Sequence, residues 1–64
     1  MLKDSRAIIR RLKKEGFVLI SVGGSHHKFR HPAYQRTVIV PHPKKDLAVG
    51  TVLAIYDQAR WQKD

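Results

Sequence analysis

Four histidines in 64 residues are the side chains of this sequence best suited to chemistry. His26 and His27 follow a Gly-Gly pair, His31 precedes a proline, and His42 lies between two prolines. An unperturbed imidazole titrates near pH 6.5, so it can transfer protons near neutral pH, and it can also bind a metal. A metal site is disfavoured because no carboxylate or cysteine stands at a ligand spacing. In addition, His27 and His31 would be about 13 Å apart along a strand.

The two-residue period of a strand separates the adjacent histidines. Phe29 is the largest apolar residue of its segment and is expected to face the core, and His27 shares its parity. His26, Lys28 and Arg30 have the opposite parity, which puts an imidazole and two cations on an open face. Such a set suits a phosphodiester, since histidine transfers protons and cations stabilise developing charge. On pattern alone, however, the commoner interpretation is a solvated strand face.

The charge balance favours an anionic partner. Lys and Arg number 13 against 5 Asp and Glu, giving a formal net charge of +8 with histidine neutral. On so small a surface this makes a nucleic acid the default partner, with an acidic protein or plain solubility as alternatives. Lys44 and Lys45 are expected either to extend a phosphate-binding track or to belong to a solvated loop.

Length and composition exclude several classes of protein. Residues 1–64 suffice for one domain, and the absence of cysteine removes disulfides and thiolate metal sites. There is no apolar run of the roughly 20 residues that a membrane span needs, and the charged N-terminus does not resemble a signal peptide. We therefore expect a cytoplasmic protein without membrane contact. The chain is too short to enclose a dinucleotide, so no cofactor is expected.

Periodicity predicts a helix over residues 4–15. Ile8, Ile9 and Leu12 form one apolar face, and Asp4 or Ser5 is the expected N-cap. Arginines and lysines concentrate in the second half of this helix, where cations interact favourably with the helix dipole. The following residue is Gly16, which is typical of a left-handed helix end.

Three strands are predicted next. Residues 17–22 and 25–31 flank the Gly23-Gly24 turn, and residues 36–40 form the third strand, which Pro41 is expected to stop. A second helix is predicted from about Thr51, capped by Gly50 or Thr51 and continuing through Lys63. The apolar stripe of that helix comprises Val52, Ile55, Tyr56 and Ala59.

The predicted order is therefore α-β-β-β-α, an α+β fold. Short turns between the strands imply an antiparallel three-stranded sheet. Both helices are expected to cover one face of this sheet in a two-layer sandwich, which leaves the other face open.

Two motifs now carry a resemblance to a known family. The sequence GSHHKFRHP occupies residues 24–32 and VIVPHPKKDL occupies residues 38–47, with Gly-Phe at 16–17 and Gly-Thr at 50–51. Together with the α-β-β-β-α order, they resemble the HicA-type (YcfA-like) mRNA interferase toxins from about residue 5 to residue 59. Linked motifs at a matching spacing are more specific than any single motif.

The resemblance implies a fold similar to a double-stranded-RNA-binding domain. It also implies ribosome-independent cleavage of mRNA without a metal, and neutralisation by a HicB-type antitoxin. The family's catalytic histidine belongs to the G-S-H element, which maps onto His26, with His27 as the neighbouring alternative. Two competing functions stay open, namely a non-catalytic RNA-binding module and an adaptor for an acidic protein.

Supporting roles follow for the residues around His26. Lys28 and Arg30 are expected to bind phosphate, and Ser25 to shape the turn or bind phosphate. Gly24 and Gly50 are expected to act through the backbone. A second proton-transfer group is not evident, and His27, His42 or water would serve.

Overall fold

The first helix, α1, spans Ser5–Lys14 in a computed structural model that describes all 64 residues. Asp4 is its N-cap, and the Asp4 carboxylate accepts a hydrogen bond from the Arg6 N–H at 2.9 Å. Of the two predicted caps, the structure uses Asp4. Ile8 and Leu12 are fully buried, so the predicted apolar face is the one that packs against the core.

Gly16 ends this helix in the predicted left-handed conformation, with φ of +98°. A Cβ atom added at Gly16 would lie 2.9 Å from Nε2 of His31. Two features therefore disfavour any residue other than glycine at this position: the positive φ and the nearby imidazole of His31.

Gly16→Ala is expected to lower the free energy of unfolding by about 1–3 kcal/mol, the usual cost of holding a non-glycine residue in a sparsely populated conformation. Chemical denaturation of the purified protein measures this. Gly50→Ala is the matched control, because Gly50 lies within the second helix and an added Cβ there meets nothing within 4 Å. The control is expected to be neutral or slightly stabilising. Equal losses at both positions would contradict the argument.

Three strands form the sheet in the order β1-β2-β3. They are β1 (Val18–Gly23), β2 (His26–Arg30) and β3 (Thr37–Pro41), and both neighbouring pairs are antiparallel. The predicted meander is confirmed. Pro41 is the last residue of β3 rather than the residue after it, because it still pairs with His26 at the sheet's end.

The second helix, α2, spans Val49–Ala59 and differs from its prediction at both ends. Its N-cap is Ala48, which makes no side-chain cap hydrogen bond, so the predicted caps, Gly50 and Thr51, are wrong. The predicted continuation through Lys63 is also wrong. Arg60 turns left-handed with φ of +62°, and this reversal returns the chain to the core.

The core lies between the helices and one face of the sheet. β2 and β3 contribute Phe29, Val38 and Val40, and the helices pack chiefly over β3. The remaining members of the buried cluster come from the helices and loops: Ile8, Leu12, Phe17, Leu47, Val52, Ile55, Tyr56, Ala59 and Trp61. β1 contributes none, which leaves one edge of the sheet outside the core. Neither helix has the length and apolar character that crossing a membrane requires.

Candidate functional site

The middle strand of the sheet displays an imidazole and two cations on the face away from the helices. Along β2, Phe29 is buried and His27 is half-buried, whereas His26, Lys28 and Arg30 are exposed. This alternation confirms the predicted division between the two faces. The three exposed residues recur every second position over about 13 Å of strand, a length suited to an extended ligand.

The neighbours of these residues across the sheet are small or uncharged. His26 is paired with Gly23 and Pro41, and Lys28 is paired with Ser21 and Ile39. Arg30 is paired with Val18 and Thr37. No carboxylate therefore lies beside the row, and its positive charge is available to an anion.

All five acidic residues are engaged elsewhere. Each forms an ion pair, and the partners are Arg6 for Asp4, Arg11 for Glu15, Lys3 for Asp46, Lys63 for Asp57 and the N-terminus for Asp64. Lys28 and Arg30 form no ion pair. The net charge of +8 is thus concentrated on cations without partners, and two of these cations follow His26 along the open face of β2.

His31 is held on both ring nitrogens, which marks it as a structural residue. Its Nε2 lies 2.9 Å from the Glu15 carbonyl oxygen, and its Nδ1 accepts from the Ala33 N–H at 3.2 Å. The tautomer with its hydrogen on Nε2 satisfies both contacts. The ring also packs edge-on against Phe17 and beside Tyr34. His31 therefore joins the end of α1 to the end of β2.

His42 is tied to the start of α1 through Ser5. The Ser5 hydroxyl is fully buried, accepts from the Lys44 N–H at 2.9 Å, and lies 2.7 Å from Nδ1 of His42. A buried hydroxyl hydrogen without an acceptor would cost about 1–3 kcal/mol, so Ser5 donates to Nδ1. The sequence suggested Ser5 only as a helix cap. No local signal reveals this contact, because the two residues are 37 positions apart.

His27 and His42 form a pair on the helix side of the sheet. Their ring centroids are 4.9 Å apart and the rings are perpendicular. Nδ1 of His27 also lies 3.2 Å from the Ser25 carbonyl oxygen, which accepts in addition from the His42 N–H at 2.7 Å. The structure brings these two histidines together but away from the open face that carries His26.

His26 differs from the other three histidines because its ring makes no hydrogen bond within the protein and packs on no other ring. Both nitrogens are therefore available to a ligand. The arrangement can transfer a proton at His26 while Lys28 and Arg30 hold an anion along the same strand.

Comparison of the sequence with models of known protein families identifies the family of this chain. A family model described as "HicA toxin of bacterial toxin-antitoxin" matches residues 5–61. The chain belongs to the HicA toxin family. No curated protein matches the sequence. As a HicA family member, the protein is the toxin of a toxin–antitoxin pair, and an antitoxin is its partner.

The remaining candidate residues of this HicA domain lie in the turn before β2, in the loop after β3 and in α2. Ser25 is exposed in the turn before His26, and Gly24 adopts a positive φ of +58° that allows this turn. The side chains of Lys44 and Lys45 are exposed in the loop after β3 and form no ion pair. No three metal-binding side chains come together anywhere in the structure.

Proposed function

We propose that this HicA toxin is a metal-independent endoribonuclease that cleaves mRNA, with His26 as a general acid or base. A HicB-type antitoxin neutralises it. One observation carries the proposal: the only histidine ring free of intramolecular hydrogen bonds lies on an open face with two cations that form no ion pair. The α-β-β-β-α order also supports the proposal, because membership of this family implies a fold similar to a double-stranded-RNA-binding domain.

The chemistry uses the nucleophile that RNA carries. The 2′-oxygen bonds to the neighbouring phosphorus, and the bond between phosphorus and the 5′-oxygen of the next nucleotide breaks. His26 takes the 2′-hydroxyl proton or delivers a proton to the leaving oxygen, a contribution of about 10²–10⁴-fold. Lys28 and Arg30 bind the phosphate and stabilise the charge that builds on it. The products are a 2′,3′-cyclic phosphate and a 5′-hydroxyl.

The second proton transfer falls to water in this proposal. His27 and His42 pack against each other on the helix side of the sheet, and each has a further contact there, to the Ser25 carbonyl and to Ser5 respectively. Neither ring shares the open face with His26. His26 is exposed, so solvent water reaches the same open face.

Purified protein incubated with an RNA and with a DNA of the same sequence tests the proposal. We expect the RNA to be cut in the presence of a chelator, with 2′,3′-cyclic phosphate ends, and the DNA to survive because it lacks the 2′-hydroxyl. Electrophoresis and mass spectrometry of the fragments give the readout. Cleavage of the DNA would refute the mechanism. Salt-sensitive RNA binding without cleavage would favour the non-catalytic RNA-binding module instead.

A further inference from the structure

The edge strand β1 is apolar and uncovered. All six of its residues are exposed, and four are large and apolar: Val18 at 53%, Leu19 at 41%, Ile20 at 48% and Val22 at 54%. The strand contains no charged residue and no proline. Monomeric proteins commonly protect an edge strand with a charge, a proline or a covering element, because its free backbone groups invite another strand. β1 has none of these three protections, and its one irregularity is a shift of register against β2 between Leu19 and Ser21.

The opposite edge of the same sheet has a hydrogen-bond partner from α2. α2 packs along β3, and the Gln58 side-chain oxygen accepts a hydrogen bond from the Ile39 N–H at 3.1 Å. On β1, by contrast, the backbone groups that point away from β2 bond to no loop and no side chain. One outward-facing N–H of β3 is therefore satisfied within the protein, whereas the outward-facing backbone groups of β1 are all free to accept a strand.

Charge around β1 indicates what kind of strand fits. Arg30 is paired with Val18 across the sheet, Lys28 is paired with Ser21, and neither cation forms an ion pair. The last turn of α1, which is basic, ends a few residues before β1 begins. A second copy of this chain would also carry a net charge of +8, so charge repulsion disfavours self-pairing and favours an acidic partner.

A shallow hollow beside β1 completes the surface. Its volume is about 300 Å³, and it is lined by Val18, Ile20, Arg30 and Pro32. Three of these lining side chains are apolar, and the fourth carries a guanidinium group. The hollow therefore suits an apolar side chain that is followed on its own strand by a carboxylate able to pair with Arg30.

We propose that an acidic segment of the antitoxin adds to β1 as a fourth strand and anchors an apolar side chain in this hollow. The inference rests on the proposed antitoxin pairing but not on ribonuclease activity. Added strands lie about 4.8 Å apart, so the segment would lie two strands from His26. Its binding would bring the body of the antitoxin over the open face and exclude RNA from it.

Titration of the full chain with its antitoxin tests the proposal through two substitutions at one site. Ile20→Glu is expected to weaken antitoxin binding by about 30-fold or more, the effect of losing an anchor residue. Ile20→Lys is expected to lose less, because its charge attracts the acidic segment. Val49→Glu is the matched control, since Val49 is 65% exposed on α2. Its affinity is expected to stay within about 3-fold of the wild-type value.

Hydrogen exchange gives the second measurement. Antitoxin binding is expected to slow the exchange of the amides of residues 18–23, which addition of a strand protects directly. Unchanged exchange there, or an Ile20→Glu affinity equal to the control, would overturn the proposal. If Ile20→Glu lost RNA binding but kept antitoxin binding, β1 would be an RNA-binding strand instead. If the wild type formed a dimer that Ile20→Glu disrupted, β1 would pair with a second copy of the chain.

Measurements of protein stability and of ribonuclease activity distinguish failure of the docking proposal from failure of the proposed function. Each variant is first compared with the wild type in its unfolding curve, so that a folding defect is recognised. If the wild type fails to cut RNA, the antitoxin titration still decides the docking surface. If Ile20→Glu cuts RNA normally but the antitoxin no longer inhibits it, the docking proposal and the proposed function both stand.

Discussion

His26→Ala is expected to reduce RNA cleavage by about 10²–10⁴-fold while the protein stays folded. The loss follows from removing the only proton-transfer group on the open face. The fold is expected to survive because the His26 ring is exposed and makes no hydrogen bond within the protein. Single-turnover cleavage of a labelled RNA by wild type and variant measures the effect, and matched thermal unfolding curves check the fold.

His27→Ala separates the two adjacent histidines. His27 lies on the helix side and packs against His42, so its removal is expected to cost some stability and to leave most of the cleavage rate. If His27→Ala lost as much cleavage as His26→Ala, the catalytic role would belong to His27 instead.

Lys28→Ala is expected to weaken RNA binding and to reduce the salt dependence of that binding by the equivalent of about one phosphate contact.

The same comparison can be made in cells. Induced expression of the wild type is expected to stop growth and degrade mRNA, whereas His26→Ala at the same protein level is expected to do neither. If both proteins are harmless and mRNA stays intact, the catalytic proposal loses its support, and RNA binding or antitoxin docking becomes the leading account of the open face.

Strand parity allowed the sequence to predict which face His26 occupies. The large apolar ring of Phe29 is stabilised by burial in the core. Because successive side chains of a strand point to opposite faces, the face of every other residue of β2 then follows. The positions of His31 and His42 could not be predicted in this way. Their partners, Glu15 and Ser5, lie 16 and 37 residues away, and only the tertiary fold brings them together. The catalytic role of His26 stays a prediction.

The end of α2 shows a second limit of sequence analysis. Residues 60–63 contain no proline or glycine, so local preference allowed the helix to continue. The observed turn at Arg60 has φ of +62°, which is costly for a residue other than glycine. Burial of the Trp61 indole offsets this cost, because the ring is only 7% exposed against the core. Tertiary packing thus overrides local propensity.

Trp61→Ala is therefore expected to have the largest effect on stability, about 3–5 kcal/mol. Nε1 of Trp61 donates to a Glu15 carboxylate oxygen at 2.7 Å, and the Arg11 guanidinium lies 4.1 Å from its ring centroid. The ring also packs edge-on against Tyr56 at 5.1 Å. Since small domains are stable by only about 0.05–0.15 kcal/mol per residue, this loss would unfold much of the population.

Urea denaturation of three variants distinguishes packing from hydrogen bonding. Trp61→Phe keeps an aromatic ring but loses the N–H donor, so it is expected to cost less than Trp61→Ala and to reflect the bond to Glu15. Gln62→Ala changes an exposed residue just beyond Trp61 and is expected to be neutral within about 0.5 kcal/mol. If Trp61→Ala cost no more than Gln62→Ala, the indole would not pack on the core. With the expected loss, the segment after α2 is part of the folded domain as far as Trp61, and burial of the indole maintains the reversal at Arg60.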